Sequence, residues 1–100
     1  MELLRITTTT EALRLEGEID LAVADQFRDA LRASIASGNR SVDLSAVSSM
    51  DSTALSILLV AAKALDGQGP LVVLRPSKAV RRLLYFAVPG GHPSLDVRDE

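Results

Sequence analysis

Between Ser41 and Leu65 the hydrophobic pattern changes period once, and that change ties a strand directly to a helix. Val42 and Leu44 alternate with Ser41 and Asp43, the two-residue period of a pleated strand, whereas Leu55, Leu58, Leu59, Ala62 and Leu65 recur at helical spacing. The stretch reads as a buried strand, a short polar loop, and a helix beginning at Asp51-Ser52-Thr53. From Ala54 to Leu65 only Ser56 and Lys63 are polar, so this helix is expected to bury most of its circumference and to form the hub of the core. Its first turn is the polar exception. A helix start exposes unpaired N–H groups and the positive end of the macrodipole, so hydroxyls held there lie beside a site that favours a bound or covalent anion.

The rest of the chain supplies partners for this unit. Leu4 and Ile6 alternate with Arg5 and Thr7, and Leu13 and Leu15 with Arg14 and Glu16, which predicts a hairpin turning at Thr9-Thr10-Glu11. Gly17-Glu18-Ile19-Asp20 is expected to break the second strand. Val23, Phe27, Leu31 and Ile35, with Ala30 beside them, form the apolar stripe of a first helix whose outer face carries Asp25, Arg28, Asp29 and Arg32. Gly38 suits a left-handed cap at its end, and a strand follows from Arg40 to Leu44. After the central helix, Asp66-Gly67-Gln68-Gly69-Pro70 reads as a turn and Leu71-Val72-Val73-Leu74 as a covered strand. Ser77 caps a last helix with Val80, Leu83, Leu84 and Ala87 as its buried stripe; Leu95-Asp96-Val97 is at most a short strand before an acidic tail. The order β-β-α-β-α-β-α-β predicts an α/β fold with a mixed sheet: an antiparallel opening hairpin and parallel neighbours joined by right-handed crossovers.

One hundred residues make one domain, expected to span residues 1–100, and a chain of this length buries about two thirds of its unfolded surface. Aromatic content of 3% means the core is aliphatic, and the absence of cysteine excludes disulfide and thiol chemistry. A net charge of −2 offers no long-range attraction to nucleic acid or to an anionic membrane surface. The longest apolar run, Ile57 to Ala62, falls short of the roughly 18 residues that a spanning helix needs, and the N-terminus lacks the pattern of a signal peptide. A cytoplasmic protein without direct membrane insertion is the expectation.

Asp51-Ser52-Thr53-Ala54-Leu55, following the strand Val42-Asp43-Leu44-Ser45, resembles the phosphorylation loop of STAS domains, the fold shared by bacterial anti-sigma factor antagonists and the cytoplasmic domains of some anion transporters. Leu15-Glu16-Gly17-Glu18-Ile19-Asp20 is similar to the family's Gly-Glu-Leu-Asp turn, and Pro76-Ser77-Lys78-Ala79-Val80-Arg81-Arg82-Leu83-Leu84 to its last-helix entry. The three matches occur in family order. The resemblance implies one mixed sheet with helices packed mainly on one side, and it makes Ser52 the phosphoacceptor, with Thr53 the runner-up. It also implies a non-enzymatic module that docks through Asp20, Asp51, Ser52, Thr53 and Ala54 onto an anti-sigma factor with serine kinase activity. Phosphorylation on Ser52 would turn that docking off, and a phosphatase would reverse it. A STAS accessory subunit of a membrane transporter, bound to a cytoplasmic ATPase or permease, is the alternative.

Read without the resemblance, Asp51, Ser52 and Thr53 are equally the residues of a helix cap, and Asp20 is a capping residue too. Three positions depart from the family pattern: Ala54 replaces the usual Gly and is expected to put a methyl close to the acceptor, Val23 replaces a capping hydroxyl, and Val88-Pro89-Gly90-Gly91 replaces the usual Ser-Gly-Leu. A Ser-dependent hydrolase is the weakest reading, because Ser52 lacks a Gly-x-Ser-x-Gly elbow and His92, the single histidine, sits in a Gly-Gly-His-Pro turn. No glycine-rich phosphate loop is present. Catalytic residues, cofactor and metal are therefore all expected to be none. Arg75, Lys78, Arg81 and Arg82 form a basic cluster, read as a solvated helix face or as a dock for an acidic surface.

Overall fold

A computed structural model describes residues 4–65 and 67–99; Asp66, expected to open a turn, and Glu100, expected in the acidic tail, lie outside the described residues. The strands are β1 (Arg5–Thr8), β2 (Leu13–Ile19), β3 (Ser41–Met50), β4 (Leu71–Leu74) and β5 (Leu95–Arg98); the helices are α1 (Ala24–Ala36), α2 (Ser52–Ala64) and α3 (Lys78–Ala87). The strands lie in the order β1-β2-β3-β4-β5, with β1 antiparallel to β2 and every later pair parallel. From β2 onward each connection moves one place in the same direction, so right-handed crossovers put all three helices on one face of the mixed sheet. The buried apolar side chains form a single cluster under them, centred on Phe27, Leu31, Leu44, Leu58, Val73 and Val80.

The elements are those expected, but two of them run further. β2 continues through Gly17 to Ile19 instead of breaking there, because Leu13, Leu15, Gly17 and Ile19 keep alternating inward. Gly17 adopts φ 105°, a left-handed conformation that costs glycine little, beside one of two register shifts between β2 and β3. β3 does not end at Leu44 before a polar loop. It runs to Met50, pairing Gly17 with Val47 and Ile19 with Met50, and each register shift inserts one extra residue into it. Its buried apolar positions are therefore Val42, Leu44, Val47 and Met50, and the two-residue alternation is lost after the first bulge.

The central helix is less enclosed than its composition suggests. Ala54, Leu58 and Ala62 face the sheet, but Leu59 is only half-buried and Val60 is 66% exposed. A helix in a single layer has neighbours below and beside it and none above. In α3, Val80 and Leu84 are buried and Leu83 partly so, while Ala87 is exposed, and Ser77 caps the helix by accepting the Val80 N–H at 3.3 Å. Gly38 closes α1 at φ 95°, and Asp25 pairs with Arg28 at 2.7 Å on its outer face.

The sheet face opposite the helices holds the most buried charge among the described residues. Asp43, in β3, accepts from Arg75 at 2.8 Å, from Arg14 at 3.3 Å and from the Ser45 N–H at 2.9 Å, which links β2, β3 and the end of β4. Burial pushes its carboxyl up; the Arg75 hydrogen bond, the Ser45 N–H and hydroxyl and the charge of Arg75 together outweigh that and hold it at about 2, against an ordinary 3.8. Arg75 reaches Asp43 from φ 47°, a left-handed conformation that is costly for a residue with a Cβ.

Two outcomes are expected. Leu58→Ala should destabilise the domain by about 2 to 5 kcal/mol, the range for emptying a packed site, and Leu59→Ala by roughly half as much. Equal losses in chemical melts would contradict the burial difference. For Asp43, a folded pKa below the unfolded one stabilises the fold above the unfolded value, and that contribution is lost as pH falls through the folded value. Asp43→Asn should then cost about 2 kcal/mol at neutral pH, with the difference closing between pH 3.8 and about 2. Urea titrations across that window test it, and a gap independent of pH would refute it.

Candidate functional site

Two neighbouring parallel strands deliver two carboxylates to one rim. Ile19 and Met50 are register partners at the ends of β2 and β3, so the next residues, Asp20 and Asp51, emerge side by side. The Asp51 N–H still donates to the Ile19 carbonyl at 3.1 Å, extending the contact between the two chains past the strands. Both carboxylates act as caps. Asp20 Oδ1 accepts the Ala22 N–H at 3.0 Å and shapes a single 3₁₀ turn, Leu21–Val23, which leads into α1. That upstream cap makes a hydroxyl at Val23 dispensable, and Val23 indeed makes no side-chain cap.

Asp51 is used twice. Its Oδ1 accepts the Ala54 N–H at 2.9 Å and caps α2; its Oδ2 accepts the Leu21 N–H at 3.1 Å and fastens the chain leaving β2 to the start of α2. The Leu55 N–H donates to the Asp51 carbonyl, so the N–H groups of Ser52 and Thr53 are the ones in the first turn without a partner inside the helix. Ser52 itself is exposed. Thr53 is half-buried and turns toward a groove of about 500 Å³ between α1 and α2, walled by Leu31, Ile35, Ile57 and Val60, with Arg28 and Arg32 on its edge.

The structure thus brings Asp20, Asp51, Ser52 and Thr53 to one rim and withdraws Ala54, which is fully buried. The Ala54 methyl packs into the core and not beside the Ser52 hydroxyl, since the third residue of this helix points at the sheet. The rim also carries a residue that the sequence pattern did not mark. Leu21 is 72% exposed next to the Asp51 carboxylate, an apolar side chain where a solvated turn needs none. Its only sequence signal is a leucine directly after a strand-ending Asp.

The chemistry available is that of a presented hydroxyl. His92 precedes β5 and so lies at the N-terminal end of the parallel strands, whereas Ser52 follows β3 at the C-terminal end. The His92 Nδ1 accepts the Ser94 N–H at 3.0 Å, holding a turn, and it does not meet the serine. Among the described residues, no group of three or more His, Asp or Glu side chains could hold a metal ion, and no helix is long and apolar enough to cross a membrane.

No curated protein matches the chain in sequence. Among solved structures, an anti-sigma factor antagonist from Mycobacterium paratuberculosis is similar at a TM-score of 0.75 and 23% identity, covering 94% of this chain and 84% of that one. SpoIIAA, an anti-sigma factor antagonist in its unphosphorylated form, is similar at 0.62 and 22%, covering 93% and 86%. A candidate anti-sigma factor antagonist from Thermotoga maritima gives 0.74 and 17%, covering 97% and 86%. At these identities the likeness is one of fold. Residues 3–87 match the family described as Mlab, STAS domain, and with most of its length inside that match this chain belongs to the STAS domain family.

Proposed function

We propose that this chain is a cytoplasmic, non-enzymatic anti-sigma factor antagonist: it docks through the Ser52 rim and the adjoining α1 surface onto an anti-sigma factor with serine kinase activity. Phosphorylation of Ser52 ends the docking, and a phosphatase restores it. The observation that carries this reading is the exposed Ser52 hydroxyl on the first turn of α2, beside a carboxylate that holds both flanking chains in place. The similar folds of two anti-sigma factor antagonists support it. A kinase needs an accessible hydroxyl on a fixed backbone, and a partner that must be released needs a surface whose charge changes while its shape does not.

A cognate kinase with ATP should add one phosphate, on Ser52. Thr53 is the poorer acceptor because its side chain is half-buried against the groove and is β-branched. Tandem mass spectrometry of the labelled peptide decides between them; predominant label on Thr53, Ser48 or Ser49 would move the site.

A phosphate brings about −1.5 to −2 charge to a rim that already holds Asp20 and Asp51 and must desolvate when it docks. A penalty of about 2.7 kcal/mol corresponds to roughly hundredfold weaker binding. Ser52→Asp carries less charge, so its effect should have the same sign and be smaller, and Ser52→Ala should bind normally without being switchable. Neither should unfold the domain, because a negative group at a helix start is favoured by the dipole and the unpaired N–H groups. Calorimetric titration against the anti-sigma factor, with circular dichroism as the check on folding, measures both. Undiminished binding by both the Ser52→Asp and the phosphorylated protein would exclude the switch and favour the transporter-accessory reading.

A further inference from the structure

Among the described residues the sheet ends in an edge strand, β5, whose charges complement those of a second copy of itself. β5 is the outermost strand, paired on one side with β4. The Leu71 N–H donates to the Ser94 carbonyl and the Arg75 N–H to the Arg98 carbonyl, so the backbone groups of Ser94, Asp96 and Arg98 face β4. Backbone groups alternate along a parallel strand, which leaves the N–H and C=O of Val97 pointing outward.

From this we infer that two copies of the chain pair antiparallel through β5 about a twofold axis at Val97, giving a continuous ten-stranded sheet. In that register the two Val97 residues exchange both backbone hydrogen bonds, and Asp96 of each copy lies directly opposite Arg98 of the other. The Asp96–Arg98 pairs occupy the non-hydrogen-bonded positions, where opposing side chains approach most closely. Within one copy these two side chains already pair at 2.8 Å, so the dimer joins two existing ion pairs into a network of four charges. Moving the axis to Leu95 would set Val97 against Pro93, whose missing N–H cannot extend the ladder. The opposite sheet edge lacks this property: in β1 the single charge is Arg5, which has no carboxylate to meet.

The apolar surface around β5 fits the same occupant. β5 has no helix of its own above it, so a notch of about 690 Å³ opens between α3 and the strand, bordered by Tyr85, Val88, Leu95 and Val97. Tyr85 is 74% exposed and Val97 45%, and both lie on the helix side of the sheet. Pairing at Val97 brings the two notches together over the axis, where a tyrosine from each copy can close them. The contact is isologous and therefore closed, ending at two copies. Because β4 separates β5 from β3, both Ser52 rims remain available to partners.

Charge exchange tests the register. Sedimentation equilibrium of the wild-type chain should show a reversible dimer in the micromolar range. Asp96→Arg and Arg98→Asp should each weaken dimerisation about tenfold or more, since either places like charges opposite each other twice. An equimolar mixture of these two variants restores opposite charges at both positions and should dimerise like the wild type, as should the double exchange Asp96→Arg/Arg98→Asp. A wild-type chain that stays monomeric into the high micromolar range overturns the proposal. So do single variants that dimerise normally, or weakened single variants that stay folded by circular dichroism yet fail to recover on mixing.

Discussion

A strand order that never reverses is the constraint on which the rest of this structure depends. Because β2 to β5 advance in one direction, right-handed crossovers can lay helices on one face only, and three consequences follow. The core is a single layer between sheet and helices, aliphatic except for Phe27, which is fully buried in it. The other face must satisfy itself with charge, and the Arg14–Asp43–Arg75 group does so across three consecutive strand positions. There is also no reversal point at which strand ends diverge and open a crevice for a small molecule, the usual binding place in open α/β sheets. What such a fold offers is its rim, its helix layer and its edges.

The rim is built so that it does not yield. Asp51 joins a strand end, a helix start and the chain leaving the neighbouring strand through three hydrogen bonds of 2.9 to 3.1 Å: one donated by its own N–H and two accepted by its carboxylate. Asp20 fixes the next turn in the same way. The sequence presents these residues as caps, and the resemblance makes them members of a recognition loop; the geometry shows the caps, and capping leaves the proposed recognition role open to them. A cap that uses both carboxylate oxygens is what holds the adjacent serine in one place.

Elements that follow a single period were legible in the sequence, and those that mix two were not. α1 and α3 show one apolar stripe each, the first half of β2 alternates, and the hairpin turn and the Gly38 cap lie where their residues place them; the second half of β2 keeps the alternation, but Gly17 reads as a strand break and hides it. The expected strand stops at Leu44 and β3 runs to Met50, because two bulges stretch its inward spacing to three residues at Val47 and Met50, and a strand with that spacing looks like a polar loop. The exposure of Val60 was hidden by composition: an apolar helix implies all-round burial only if something lies above it, and nothing in residues 41–65 says that the helix layer is single. Asp43 offered no local signal, because Arg14 and Arg75, which neutralise it, stand 29 and 32 residues away in the chain. Of the rim, Asp20, Asp51, Ser52 and Thr53 were readable from their place at strand ends, whereas the depth of Ala54 depends on the phase of the helix against the sheet, which short polar stretches leave undetermined.

Stability and the proposed recognition rim occupy separate parts of this fold, and that separation would make a charge switch workable. The Asp43 group lies on the open sheet face, and the aliphatic cluster under the helices; neither includes Ser52. A phosphate on Ser52 would meet two N–H groups of the first turn that lack partners within the helix, so the folded chain accommodates the new charge locally. The cost falls on whatever has to cover the rim. Were the proposed acceptor a buried residue of α2, the same modification would have to break the core to act, and a reversible change of surface would become partial unfolding. An exposed first residue on a doubly anchored helix avoids this, because the backbone that carries the charge is held by bonds that the charge does not touch.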